Sequence, residues 1–129
     1  MTKAKDFLIS ISPEAAAEKI ITALAAKTKS NLPGIFGVLK ARRGPLLLDD
    51  YRVKWAGVTV ISLVFTKFYS RIGSFVTLIL TIDNTRGETA VHLTPGGHKM
   101  FSDDDDLGAG TAFMKMVEEI LEGYLLPEV

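Results

Sequence analysis

Cysteine is absent from this 129-residue chain, and histidine occurs only twice. Those two shortages exclude disulfides, thiolate zinc sites, cysteine nucleophiles and a multi-histidine metal centre, and they fit a reducing compartment. Net charge is missing too, because fifteen basic and fifteen acidic residues cancel. A nucleic-acid-binding domain carries a positive excess, so no nucleic-acid partner is expected. Nor is there a long hydrophobic run. The longest near-apolar stretch, Gly57–Phe65, falls far short of the about 20 residues a membrane helix needs, so no membrane insertion is expected. The start Met-Thr-Lys-Ala-Lys-Asp reaches an acid at Asp6 without an apolar core, unlike a signal peptide. The expected localisation is cytoplasmic.

What the chain does have is apolar content, 47% of its residues. Residues 1–129 are enough for one domain with a real core and no cross-links. Phe7, Ile9 and Ile11 alternate with Leu8 and Ser10, the period of a strand. Ser12-Pro13-Glu14 supplies a helix N-cap, a proline at the first helical position and an acid in the first turn. Ala17, Ile20, Ile21, Leu24 and Thr28 then fall on one stripe of an amphipathic helix. Ile35–Gly44 mixes Ile35, Phe36, Val38 and Leu39 with Lys40, Arg42 and Arg43, and reads as a solvated basic loop. Leu46–Val53 is a strand with an Asp49-Asp50 step, and Trp55-Ala56-Gly57 turns the chain.

Val58–Ile82 is the feature that composition alone does not explain. Two apolar strands meet at Ser70-Arg71-Ile72-Gly73, and between Thr59 and Ile82 the only charges are Lys67 and Arg71. With Gly73 left-handed at the end of the loop, Phe65 faces Leu78, Leu63 faces Leu80 and Ile61 faces Ile82. That face is the core. Its reverse pairs Phe68 with Phe75, Thr66 with Thr77, Val64 with Ile79 and Ser62 with Thr81. A slip of one residue would mix the two sets, so segregation favours this register. A sheet with one wet face normally alternates apolar with charged residues; here the second face is half apolar, half hydroxyl and uncharged.

Asp83-Asn84-Thr85-Arg86-Gly87 is a turn, and Glu88–Thr94 a further strand that Pro95-Gly96-Gly97 ends. A last helix carries Phe113, Met116, Val117, Ile120, Leu121 and Tyr124 on one stripe. The expected fold class is α+β: an antiparallel sheet of about five strands with two helices on one face, in the order β-α-β-β-β-β-α. By that order it matches the helix-grip or TATA-binding-protein-like architecture, which licenses no activity.

The polar motifs each have a plain explanation. Asp103–Asp106 lacks the alternating spacing of a calcium loop and suits a solvated approach to a helix N-terminus. Gly108-Ala109-Gly110 is no phosphate loop, because it lacks the following lysine and the preceding strand. His98, after two glycines and near the acid run, is the one candidate for an acid–base dyad and reads as a surface histidine. No serine lies in a G-x-S-x-G context. Of the aromatics Tyr51, Trp55, Phe65, Phe68, Tyr69 and Phe75, Phe65 belongs to the core face, and Phe68 and Phe75 share the second face without the lysine or arginine in register that a nucleic-acid stacking platform requires. No catalytic residue, metal site or cofactor is expected, and the chain is read as a non-enzyme.

The stretch Lys67-Phe68-Tyr69-Ser70-Arg71-Ile72-Gly73-Ser74 leading into Phe75–Ile82 resembles the hairpin of a family of short bacterial, mainly Firmicute, proteins of unknown function. So do the ending Asp106–Phe113 with Val117–Leu121 and the Ser12-Pro13-Glu14 start. Ile35–Gly44 reads as an insertion in that pattern, and the acid run departs from it. The resemblance implies architecture and no site residues.

Two functions remain as expectations. The first is binding or assembly, as a homo-oligomer (a dimer), through Val60, Val64, Phe68, Phe75 and Ile79 on the uncharged face. The second is carriage of a small apolar ligand between sheet and last helix, lined by Leu63, Phe65, Leu78, Leu80, Phe113, Met116 and Ile120.

Overall fold

A computed structural model describes residues 4–28, 44–70, 72–97 and 108–127. Strand β1 (Lys5–Ile9) leads into helix α1 (Pro13–Thr28). Strands β2 (Leu46–Trp55), β3 (Val58–Tyr69), β4 (Ser74–Asp83) and β5 (Thr89–Gly97) follow, then helix α2 (Ala109–Leu121) and a 3-10 turn, Glu122–Tyr124. The five strands form one open antiparallel sheet in the spatial order β1-β5-β4-β3-β2. The fold is therefore α+β; among the described residues the strands and α-helices run β-α-β-β-β-β-α, and a 3-10 turn outside the expected order follows the last helix.

Local chemistry sets the element ends. The Ser12 hydroxyl accepts from the Ala15 backbone N–H at 3.1 Å, satisfying one of the donors that a helix start leaves open. The β2–β3 turn has two successive left-handed residues, Ala56 at φ 48° and Gly57 at φ 80°, the geometry that matches strand twist in a two-residue hairpin. Gly73 takes φ 62°. The β3–β4 ladder pairs Phe65 with Leu78, Leu63 with Leu80 and Val64 with Ile79, the register that face segregation requires. Gly108 caps α2 from the left-handed region at φ 82°.

Both helices lie on one face of the sheet. Ile61, Leu63, Phe65, Val76, Leu78, Leu80, Ile82, Val91 and Leu93 are buried there with Ala16, Ala17, Ile20 and Leu24 of α1 and Phe113, Met114, Val117 and Leu121 of α2. Ion pairs tie the helices to the two outer strands: Lys5 to Glu118 at 2.8 Å, and Lys54 to Glu14 at 3.1 Å. No helix among the described residues is long and apolar enough to cross a membrane.

Three expectations need correction. Strand β5 does not end before Pro95 but runs through Gly97, with Pro95 opposite Leu78 and Gly96 opposite Thr77. Among the described residues its pairing with β1 reaches only Leu93, and Pro95 lies beyond that pairing, where a missing N–H is tolerated. The buried stripe of α2 is rotated: Met114 is in the core, whereas Met116 and Ile120 are only partly buried. In the first strand, Ile11 lies beyond the end of β1, in the bend before α1. The basic loop from Ile35 to Arg43, Arg71, His98 and Asp103–Asp106 lie outside the described residues.

Candidate functional site

The side of the sheet away from the helices is the largest feature that the core does not account for. Because opposed residues in an antiparallel ladder share a face, the register places Val60, Ser62, Val64, Thr66 and Phe68 of β3 beside Asp83, Thr81, Ile79, Thr77 and Phe75 of β4. All five proposed interface residues are thus together. Phe68 and Phe75 meet edge to face with ring centroids 5.3 Å apart at 72°. Phe75 remains 47% exposed and Ile79 39% exposed, although both belong to an interior strand.

Pairing with the flanking strands enlarges this surface. Tyr51 lies opposite Ser62, Val53 opposite Val60 and Trp55 opposite Val58, extending it across β2. On the other flank, Leu8 lies opposite Ala90. Tyr51, Val53, Trp55 and Leu8 are all exposed. The sequence pattern did not reveal these contributors, because which strands flank the hairpin is decided only by topology. Alternation within β2 was the available signal: Tyr51, Val53 and Trp55 alternate with Arg52 and Lys54.

Neither charge of the hairpin interrupts the described part of the face. Arg71 lies outside the described residues, and Lys67 lies opposite Val76, on the core side. The Lys67 ammonium is 4.5 Å from the Tyr69 ring centroid and donates to the Phe68 carbonyl at 3.4 Å. Burial, then the charge of Lys27, pushes its pKa below the usual lysine value. Ionisable groups of the outer face stand towards its margins: Asp49 on β2, Asp83 at the end of β4, and Asp6 with His92 across β1 and β5.

The Asp6–His92 pair is the nearest approach to catalytic geometry. Asp6 Oδ1 lies 2.6 Å from His92 Nδ1, and Thr94 Oγ1 lies 2.9 Å from His92 Nε2. A carboxylate, an imidazole and a hydroxyl in series are the elements of a proton relay. The sequence hid them, since β1–β5 pairing joins residues 86 positions apart. A groove of about 660 Å³ beside the pair is lined by Asp6, Leu8, Arg86, Ala90, Leu125 and Leu126 among others, but not by His92 or Thr94. Among the described residues no cluster of three or more His, Asp or Glu could hold a metal ion.

The proposed apolar-pocket residues occupy the opposite side of the sheet. Leu63, Phe65, Leu78, Leu80 and Phe113 are buried in the common core, with Met116 and Ile120 at its margin. The Tyr69 ring covers Phe113, their centroids 6.2 Å apart.

No protein-family model, curated protein or solved structure matches this chain.

Proposed function

We propose that this chain is a non-enzymatic binding and assembly protein that associates with a second copy through the uncharged outer face of its sheet. The observation behind this reading is the half-exposed pair Phe75 and Ile79 in the interior of a five-stranded sheet. They stand among hydroxyl and aliphatic neighbours. Strands at about 4.8 Å spacing and about 3.3 Å per residue give such a face a projected area on the order of 700 Å². That is close to the roughly 800 Å² per partner of an ordinary specific interface. The architecture is read as a helix-grip type, whose sheet has one face left over once its helices are seated.

The test is absolute mass by light scattering on the wild type and on Ile79→Glu, with circular dichroism of both. Ile79→Glu sets a carboxylate in the middle of the apolar face, where docking would bury it unpaired; it lowers the oligomeric order and leaves the spectrum unchanged. A monomeric wild type, or equal masses for the two proteins, overturns the reading. Native mass spectrometry after mild purification examines the alternative. An apolar ligand retained beside an unassembled chain turns the reading to a carrier built around Leu63, Phe65, Leu78, Leu80, Phe113, Met116 and Ile120.

A further inference from the structure

We propose that the open edge of β2, adjoining the outer face, is a second association surface: it pairs antiparallel with β2 of another copy about a two-fold axis at Tyr51. The two edges of the sheet are finished differently. Strand β1 is covered at its C-terminal end by the segment after α2, where Leu125 bridges to Ile9 and the Leu126 N–H donates to the Leu8 carbonyl at 2.9 Å. Strand β2 has β3 as its one strand neighbour among the described residues, and all ten of its residues are exposed. An open edge presents a row of unpaired backbone donors and acceptors, and isolated proteins blunt such edges. This one carries charges and a register shift between Leu47 and Asp49, yet it also exposes Leu48 at 60%, Tyr51 at 63% and Trp55 at 58%.

Charge selects the partner and the register. Asp50, Arg52 and Lys54 point to the helix side of β2, where Lys54 meets Glu14 of α1. Arg52 grips Asp50 with two bonds, Nε to Oδ1 at 2.8 Å and Nη2 to Oδ2 at 3.0 Å. In an antiparallel two-fold pairing that keeps the helices on one side, a residue sits on the axis and opposed residues share a face. An axis at Asp50 or at Arg52 sets like charges against each other. An axis at Val53 sets Arg52 against the partner's Lys54. An axis at Tyr51 sets Asp50 against the partner's Arg52 and Arg52 against the partner's Asp50, and brings the two tyrosines together on the outer face. The sequence of this edge is its own complement in that register alone.

Two further features make the pairing closed. The register shift between Leu47 and Asp49 interrupts the ladder beyond Asp49 and opposes slippage. A β2–β2 contact about a two-fold axis uses the same edge of both copies, so it closes at two. The product is a continuous ten-stranded sheet whose outer faces lie side by side.

The experiment uses Asp50→Lys and Arg52→Glu, both in the Ile79→Glu background so that face-mediated association is removed. The expected results are a dimer for the background, half that mass for each charge variant alone, and the full dimer mass on mixing the two. In the mixture the introduced lysine of one copy opposes the introduced glutamate of the other. The native Arg52 of the first copy then meets the native Asp50 of the second, so both cross-strand pairs are of opposite charge. Because the chain has no cysteine, Tyr51→Cys gives an independent readout. The axis places the two Cα atoms about 4.5–5.5 Å apart, within disulfide range, so mild oxidation cross-links it faster than Thr85→Cys on an exposed turn. A monomeric Ile79→Glu background overturns the edge pairing and leaves the face reading standing. Dimeric single charge variants, no recovery on mixing, or equal cross-linking of the two cysteine variants also overturn it.

Discussion

Phe75 meets Phe68 of the neighbouring strand edge to face, 5.3 Å between ring centroids, yet keeps nearly half of its surface in water. A pair of this kind contributes about 0.5–1.5 kcal/mol beyond area burial, less than a core aromatic does. Phe75→Ala is therefore expected to cost about 1 kcal/mol of folding stability. Phe113→Ala, in the core, should cost about 3–5 kcal/mol. Urea titrations in the Ile79→Glu background measure both. Sedimentation of Phe75→Ala with Ile79 intact should show weakened association; a stability loss as large as that of Phe113→Ala would assign Phe75 to the core instead.

Asn84 joins two turns. Its Oδ1 accepts the Thr59 N–H at 2.7 Å and its Nδ2 donates to the Gly57 carbonyl at 3.4 Å. Thr59 is buried, and a buried N–H left without an acceptor costs about 1–3 kcal/mol. Asn84→Ala should lower the thermal midpoint, and Asn84→Asp, which keeps the acceptor, should recover most of the loss. Equal midpoints for Asn84→Ala and the wild type would show that water replaces the side chain there.

Ala56 is the one described non-glycine residue with positive φ. A left-handed conformation costs an L-residue with a Cβ roughly 1–2 kcal/mol, and asparagine tolerates it better. Ala56→Asn creates the Asn-Gly pair that two-residue hairpins favour and should stabilise the fold by roughly 0.5–1 kcal/mol. Chemical denaturation decides, and a decrease in stability would contradict the strain.

Glu14 carries an acid-sensitive contribution. A backbone hydrogen bond at its own position, then the hydrogen bond from Lys54, hold its carboxyl below the usual 4.5. A group depressed in the folded state stabilises above its unfolded pKa, and that stabilisation is lost as pH falls through the folded value. The effect is small because the pair faces solvent. Denaturation midpoints of the wild type and Glu14→Gln should differ at neutral pH and converge as the pH drops below about 4. Parallel curves would remove Glu14 from the acid response.

Where the chain is legible, short-range chemistry is the reason. Ser12-Pro13 begins α1 because the cap hydroxyl and the fixed proline φ act within one turn. The β3–β4 register follows from Gly73 together with the segregation of Ile61, Leu63 and Phe65 from Val60, Val64 and Phe68. Where it is not legible, long-range pairing is the reason. Met114 is buried in preference to Met116 because α2 packs beside α1 on the sheet, and the phase of a short stripe does not say where its neighbours stand. Pro95 stays in β5 because β1 stops short of it.

The outer face divides in the same way. The uncharged character of its centre was determined by the sequence, since the alternation of Val60, Val64, Phe68, Phe75 and Ile79 with the core set holds whatever lies beside the hairpin. Its extent was decided by tertiary structure. Antiparallel pairing brought Tyr51, Val53 and Trp55 to one flank and Leu8 to the other, and joined Asp6 to His92. The open and covered edges are tertiary in origin too. Only the return of Leu125 and Leu126 to β1 leaves β2 as the exposed end of the sheet, and strand order depends on contacts that no local pattern records.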